Sequence, residues 1–191
     1  PISDIWAAKA IEMASRNIVQ IVENRTDAEA RSQMILAATF AGIAFGNAGC
    51  HLPHAMSYPV SGMVRRYIPE GYPPDHPIIP HGMAVILNAP AVFRFTAPIN
   101  PERHLEAARL MGMDTSNAQK EDAGDVLASG IVSLMKKTGM PNGLASVGFT
   151  AEDVNKLVEG TLPQQRVTKL APRPFTADDL KKLFLDSLTC W

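Results

Sequence analysis

Eighteen consecutive residues, MVRRYIPEGYPPDHPIIP at 63–80, hold five of the chain's fifteen prolines, at 69, 73, 74, 77 and 80. Proline locks φ and has no amide proton to give, and it disfavours helix in the residue before it, so no helix runs through this segment. The chain on either side reads as helix. One helix must therefore pass to another through a long irregular connection. Connections longer than about 12–15 residues inside a compact domain are usually functional or disordered. This one follows HLPHAMSYPVSG and ends on PHG. It joins His51 and His54 to His81, in a chain that has only five histidines.

Away from that segment the pattern is helical. Ile5, Ala8, Ile11, Ala14, Ile18 and Ile21 recur at three- and four-residue steps, with Val22 beside the last. This amphipathic stripe predicts a helix over ISDIWAAKAIEMASRNIVQIVEN. Thr26 with Glu29 forms a capping box with Thr26 as N-cap. The helix it opens, about 28–45, is apolar nearly all round, the pattern of a helix central in a bundle. Asn100-Pro101-Glu102 starts another helix, closed by Gly112, and a long helix is expected over about 117–138, stopped by Gly139. Thr150 with Asp153 and Thr176 with Asp179 repeat the start signature. No stretch alternates convincingly with period two, and HPIIPHGMAVILNAPAVF reads as a helix from about His81. The expected fold is all-α, an irregular bundle of roughly seven or eight helices in one domain over 1–191.

Charge excludes some functions. The formal net charge is -1 and no basic run is interleaved with aromatics, so neither nucleic acid nor an anionic membrane is an expected partner. No apolar run reaches the roughly 18 residues needed to cross a bilayer. Cys50 and Cys190 are too few for a disulfide framework and fit a reducing compartment. The sequence starts at Pro1 in what already reads as helix, the mark of a fragment or processed product.

The histidines carry the chemistry. Pro53 suits a first helical turn, so a short helix from about Cys50 to Tyr58 is expected. On it His54 and Tyr58 share a face at i,i+4, with His51 in reach. His81 opens the next helix. Two helix-borne histidines joined by a long loop suit a metal site, although two ligands do not complete one. His51 has a plainer reading as a surface or satisfied core histidine, and His76 and His104 read as solvated. There is no H-E-x-x-H, G-x-S-x-G, Walker A or G-x-G-x-x-G. Cys50 reads as a buried small hydrophobe. GTLPQQRVTKLAPRPFT sets Arg166, Lys169 and Arg173 among prolines, either a solvated basic loop or a carboxylate-binding one.

FGNAGCHLPHAMSYPVSG…HPIIPHGMAVILNAPAVF resembles the C-terminal helical domain of the iron-containing (group III) alcohol dehydrogenases. NAGCHLPHAMSYPVSG, DHPIIPHG, PERHLEAARLMG and GTLPQQRVTKLAP resemble its hydroxyacid–oxoacid transhydrogenase branch. The resemblance runs the length of the chain. It implies that His54 and His81 are metal ligands for Fe2+ or Zn2+, and that the other ligands, an aspartate and a histidine, precede Pro1. It places the NAD(P)-binding α/β domain there too. Many dehydrogenases of the family have a second histidine four residues after the first ligand. This chain has Tyr58, as the transhydrogenase branch does, so simple alcohol oxidation is the less expected activity and Tyr58 is the candidate catalytic residue. The implied reaction moves hydride between a 2-hydroxy acid and a 2-oxo acid. His51, Arg166, Lys169 and Arg173 are candidates for the substrate. A homo-oligomer is implied, cytoplasmic in a bacterium or in the mitochondrial matrix of a eukaryote.

Overall fold

The computed structural model describes all 191 residues. It has ten α-helices and no strand, so the all-α expectation is met. The chain forms two compact units. One is residues 1–49 with 97–139; the other is 50–96 with 140–191.

In the first unit, α1 (Ile2–Glu23) packs against α2 (Ala28–Ala48), and α6 (Pro101–Leu110) against α7 (Ala123–Lys137). The buried positions of α2 are Ala30, Ala37 and Ala44. They recur every seven residues, a narrow seam of small side chains that fits one partner helix at close range. The expectation that α2 is enclosed on all sides fails in this unit: Ile35, Leu36, Ile43 and Phe45 are exposed. The α1 stripe is half-buried from Ala8 to Ile21. The fully buried residues of the helix are Ala10 and Met13, outside the stripe, while Ile5 is 67% exposed. The seam with α2, not the stripe of isoleucines, decides which face turns inward.

Helix starts follow side-chain capping. Asn100 caps α6, its side-chain oxygen accepting from the Arg103 amide at 3.2 Å. The cap of α2 lies one residue beyond the expected Thr26. Asp27 accepts from the Ala30 amide at 2.8 Å, while the Thr26 hydroxyl donates to Asn24 at 2.8 Å. A charged carboxylate is the stronger acceptor for the helix's unpaired amides. The predicted start near 117 also shifts. A capping box of Gln119 with Asp122 opens a 3₁₀ turn at Lys120–Asp122, and α7 proper begins at Ala123.

The second unit holds α3 (Leu52–Gly62), α4 (His81–Ile86), α5 (Ala89–Thr96), α8 (Val154–Thr161), α9 (Gln165–Thr168) and α10 (Ala177–Asp186). Residues 63–80 form no helix, as the prolines require. α8 and α9 pack against α3. The approach of α8 is close: a Cβ at Gly160 would sit 2.7 Å from the Cβ of Pro59, so only glycine fits there. The two start signatures at 150–153 and 176–179 are both capping boxes, opening a 3₁₀ turn before α8 and opening α10.

Candidate metal centre

His51 is the N-cap of α3, its carbonyl accepting from the His54 and Ala55 amides at 2.9 and 3.1 Å. Pro53 lies in its first turn, where a missing amide proton costs nothing. Seven of the helix's eleven residues are buried. His54 and Tyr58 are half-buried on its remaining face.

His81 is brought to this face by the ends of the proline-rich segment. The Ile78 amide donates to the Tyr67 carbonyl at 2.8 Å, which folds the segment back on itself. The Ser61 hydroxyl, in the last turn of α3, donates to the Ile79 carbonyl at 3.2 Å, and Ile79 is buried. Two residues later His81 opens α4. Its ring centre lies 5.4 Å from that of His54 at 61°, and 6.1 Å from that of Tyr58. Histidines 27 positions apart in sequence are thus neighbours.

Burial, and after it the charge His81 would carry alongside, holds the His54 imidazole below the ordinary histidine value. A neutral imidazole has the lone pair that a metal needs. No third His, Cys, Asp or Glu of this chain joins the pair to form a metal-holding group. The donors present fit two positions of a coordination sphere, short of the three or four that protein zinc sites use.

The basic segment reaches the same face. The Arg166 guanidinium, on α9, donates to the Tyr58 hydroxyl oxygen at 2.7 Å. The other two cations differ. Arg173 donates to the Phe95 carbonyl at 2.7 Å and stacks 4.1 Å from the centre of the Phe95 ring. Lys169 is exposed, at the end of α9. His51 is half-buried with its ring edge-on to Phe93 at 6.1 Å. Cys50 is partly exposed rather than buried, and desolvation pushes its thiol up against the pull of Arg166. That disfavours the reactive thiolate. His76 is exposed as expected; His104 is half-buried, its Nδ1 2.8 Å from the Asn100 carbonyl. The sequence nominated Tyr58 and Arg166 separately. Their pairing had no local signal, since 108 positions separate them.

The family pattern described as "Fe-containing alcohol dehydrogenase family, C-terminal" matches residues 1–188. The chain is 55% identical over its whole length to the probable mitochondrial hydroxyacid-oxoacid transhydrogenase of Dictyostelium discoideum, and 52% identical over 98% of its length to the mitochondrial hydroxyacid-oxoacid transhydrogenase of Homo sapiens. It spans 35% and 40% of those two proteins. Among solved structures, a 1,3-propanediol oxidoreductase superposes on 98% of the chain with a TM-score of 0.86 at 27% identity, the chain covering 45% of it. An alcohol dehydrogenase from Oenococcus oeni gives 0.86 at 28%, with the same coverage. Fold, length of match and identity agree: the chain belongs to the Fe-containing alcohol dehydrogenase family, of which it represents the C-terminal region.

Proposed function

We propose that these residues are the metal-binding, C-terminal part of an oxidoreductase that passes hydride between a 2-hydroxy acid and a 2-oxo acid through a nicotinamide cofactor. One observation carries the reading: His54, His81, Tyr58 and Arg166 lie side by side, as two imidazoles, a phenol and a cation. The relatives named hydroxyacid-oxoacid transhydrogenase support the substrate class.

In this reading His54 and His81 hold a divalent iron or zinc ion together with donors from elsewhere in the protein. When bound, such an ion acts as a Lewis acid toward a substrate oxygen. The burial that lowers the basicity of His54 keeps its nitrogen unprotonated near neutral pH. Arginine only donates hydrogen bonds, so Tyr58 accepts from Arg166 and its own hydroxyl proton is left for another acceptor. That proton is offered to the substrate hydroxyl or relayed from it, a general acid–base role. The substrate carboxylate requires a cation within hydrogen-bonding reach, drawn from Arg166, Lys169 and Arg173, with His51 as a further contact. NAD(P) is held mainly by residues outside this chain, and hydride transfer is the cofactor's own chemistry. The protein acts as a homo-oligomer on small acids, in the cytoplasm of a bacterium or the mitochondrial matrix of a eukaryote.

A second reading, a simple NAD(P)-dependent alcohol dehydrogenase, is favoured by the alcohol dehydrogenase of similar fold. An isotope experiment on the full-length protein separates the two. A hydroxy acid deuterated at its carbinol carbon is incubated with an unlabelled 2-oxo acid and catalytic NAD. Transhydrogenation predicts deuterium on the carbinol carbon of the new hydroxy acid without accumulation of free NADH. Conversion of the added NAD to free, deuterated NADH, with no labelled hydroxy acid formed, contradicts it and favours the dehydrogenase.

A further inference from the structure

We propose that Arg166 is the residue that reads the substrate carboxylate, and that Tyr58 is the positioning residue that holds its guanidinium in place. The proposal rests on the oxidoreductase reading above and selects one of its three candidate cations.

Four observations single out Arg166. It pairs with no carboxylate of the chain, whereas Arg16, Arg65 and Arg103 each have an acidic partner. Its one hydrogen bond is to a neutral phenol oxygen, made by a single Nη. Guanidinium has five N–H donors, so most of its donor edge and its whole charge remain for a ligand. A carboxylate is the acceptor that fits this planar fork, through two parallel charge-assisted bonds. The side chain is exposed, so an incoming acid reaches it without unfolding anything. Finally, the phenol that holds it belongs to the ring lying 6.1 Å from His81, so an acid bound at Arg166 lies beside the two imidazoles.

The alternatives lack this geometry. The guanidinium of Arg173 is spent on the Phe95 carbonyl and ring, where it ties the 171–175 segment to α5. Lys169 is a point charge on a flexible stem with no partner to fix it. Tethering matters because a free arginine loses considerable rotamer freedom when it captures a ligand. A guanidinium already held by a half-buried phenol loses less. Tyr58 thus serves the carboxylate as well as the substrate hydroxyl. A double-mutant cycle separates these two functions, because a tether acts only while Arg166 is present, whereas a hydrogen bond from Tyr58 to the ligand's 2-oxygen does not need it.

Oxamate, an unreactive isostere of a 2-oxo acid, is the probe, titrated calorimetrically into the full-length protein. Arg166→Gln should weaken oxamate binding at least about tenfold, the value of a charged hydrogen bond, with Arg166→Lys recovering only part of the loss. Tyr58→Phe should weaken it several-fold in the wild-type background, and have a clearly smaller effect on top of Arg166→Gln. Lys169→Gln should change it less than about twofold, as for an untethered, screened surface charge. Arg166 is exposed, so equal melting temperatures for its variants are expected and confirm that the site alone has changed. Oxamate binding unchanged in Arg166→Gln, or lost in Lys169→Gln instead, overturns the assignment. A Tyr58→Phe effect that persists undiminished in Arg166→Gln overturns the tether. If the full-length wild-type protein turns over no hydroxy acid, the functional reading fails and this proposal with it. If it does and the Arg166 variants bind and turn over acids normally, only this proposal fails.

Discussion

Asp153 holds two distant pieces of chain with one carboxylate. It accepts from the Thr150 amide at 2.9 Å, closing the capping box, and from Arg65 at 2.5 Å. Arg65 also lies over the Phe149 ring at 5.8 Å. Burial pushes this carboxyl up, but the Thr150 amide and the Arg65 guanidinium outweigh it and leave Asp153 below the ordinary aspartate value of 3.8. In the interval beneath that value the unfolded chain binds more protons than the folded one. The stabilisation is therefore complete above 3.8 and is lost as pH falls through the lowered folded value. Asp153→Asn should cost about 1–3 kcal/mol at neutral pH, since it removes the charge from a buried acceptor. It should also flatten the acid limb of stability, measured by urea unfolding across a pH series. An unchanged acid limb would mean the ion pair is not formed in solution. Half of this arrangement was legible. Thr150 with Asp153 is a three-residue spacing that any reader of the sequence finds, whereas Arg65 is 88 positions away. The Tyr58–Arg166 bond was hidden for the same reason: tertiary partners of exposed charges leave no periodic trace.

At the scale of elements, local side-chain chemistry predicted most helix starts and packing decided the rest. Asn100, Thr150 and Thr176 stand where their spacing placed them. Asp27 displaced Thr26 because two oxygen-bearing residues compete at adjacent positions, and the carboxylate also receives Gln20 at 2.6 Å. On α1 the residues buried are Ala10 and Met13 rather than isoleucines, because the alanine seam of α2 rewards close approach. A backbone contact that no pattern announces joins Gly143 to the C-terminal segment. The Leu144 amide donates to the Ser187 carbonyl at 2.8 Å and the Ala145 amide to the Leu188 carbonyl at 3.0 Å. Gly143 has φ of 76°, and a Cβ there would collide with the backbone at Leu188. Gly148 has φ of 98° and open space around it. Alanine at Gly148 should cost only left-handed strain, about 1–2 kcal/mol. Alanine at Gly143 must also part those two hydrogen bonds and should cost at least about 1 kcal/mol more. Equal losses in denaturant midpoint for the two variants would show that the C-terminal segment is not held this way.

For the molecule as a whole, family membership was the most legible property. Several motifs recur in order along the chain, and the family pattern accordingly spans 1–188. The donor set is a different matter. The chain brings two imidazoles together and supplies no third donor. It also has no glycine-rich dinucleotide motif. The 191-residue chain alone should therefore show no NAD-linked oxidation of hydroxy acids. Robust turnover by the pure chain, followed as NADH absorbance, would contradict the division of labour proposed here.

Metal content tests most directly whether His54 and His81 are the metal ligands proposed. The full-length protein, purified anaerobically and analysed by mass spectrometry of its metals, should carry about one divalent iron or zinc ion per subunit, as a mononuclear site requires. His54→Ala and His81→Ala should each lose most of that metal, because loss of one of so few donors leaves the site incomplete. His104→Ala, whose Nδ1 lies 2.8 Å from a backbone carbonyl, should keep it. A full complement of metal in both the His54 and the His81 variants would contradict the account.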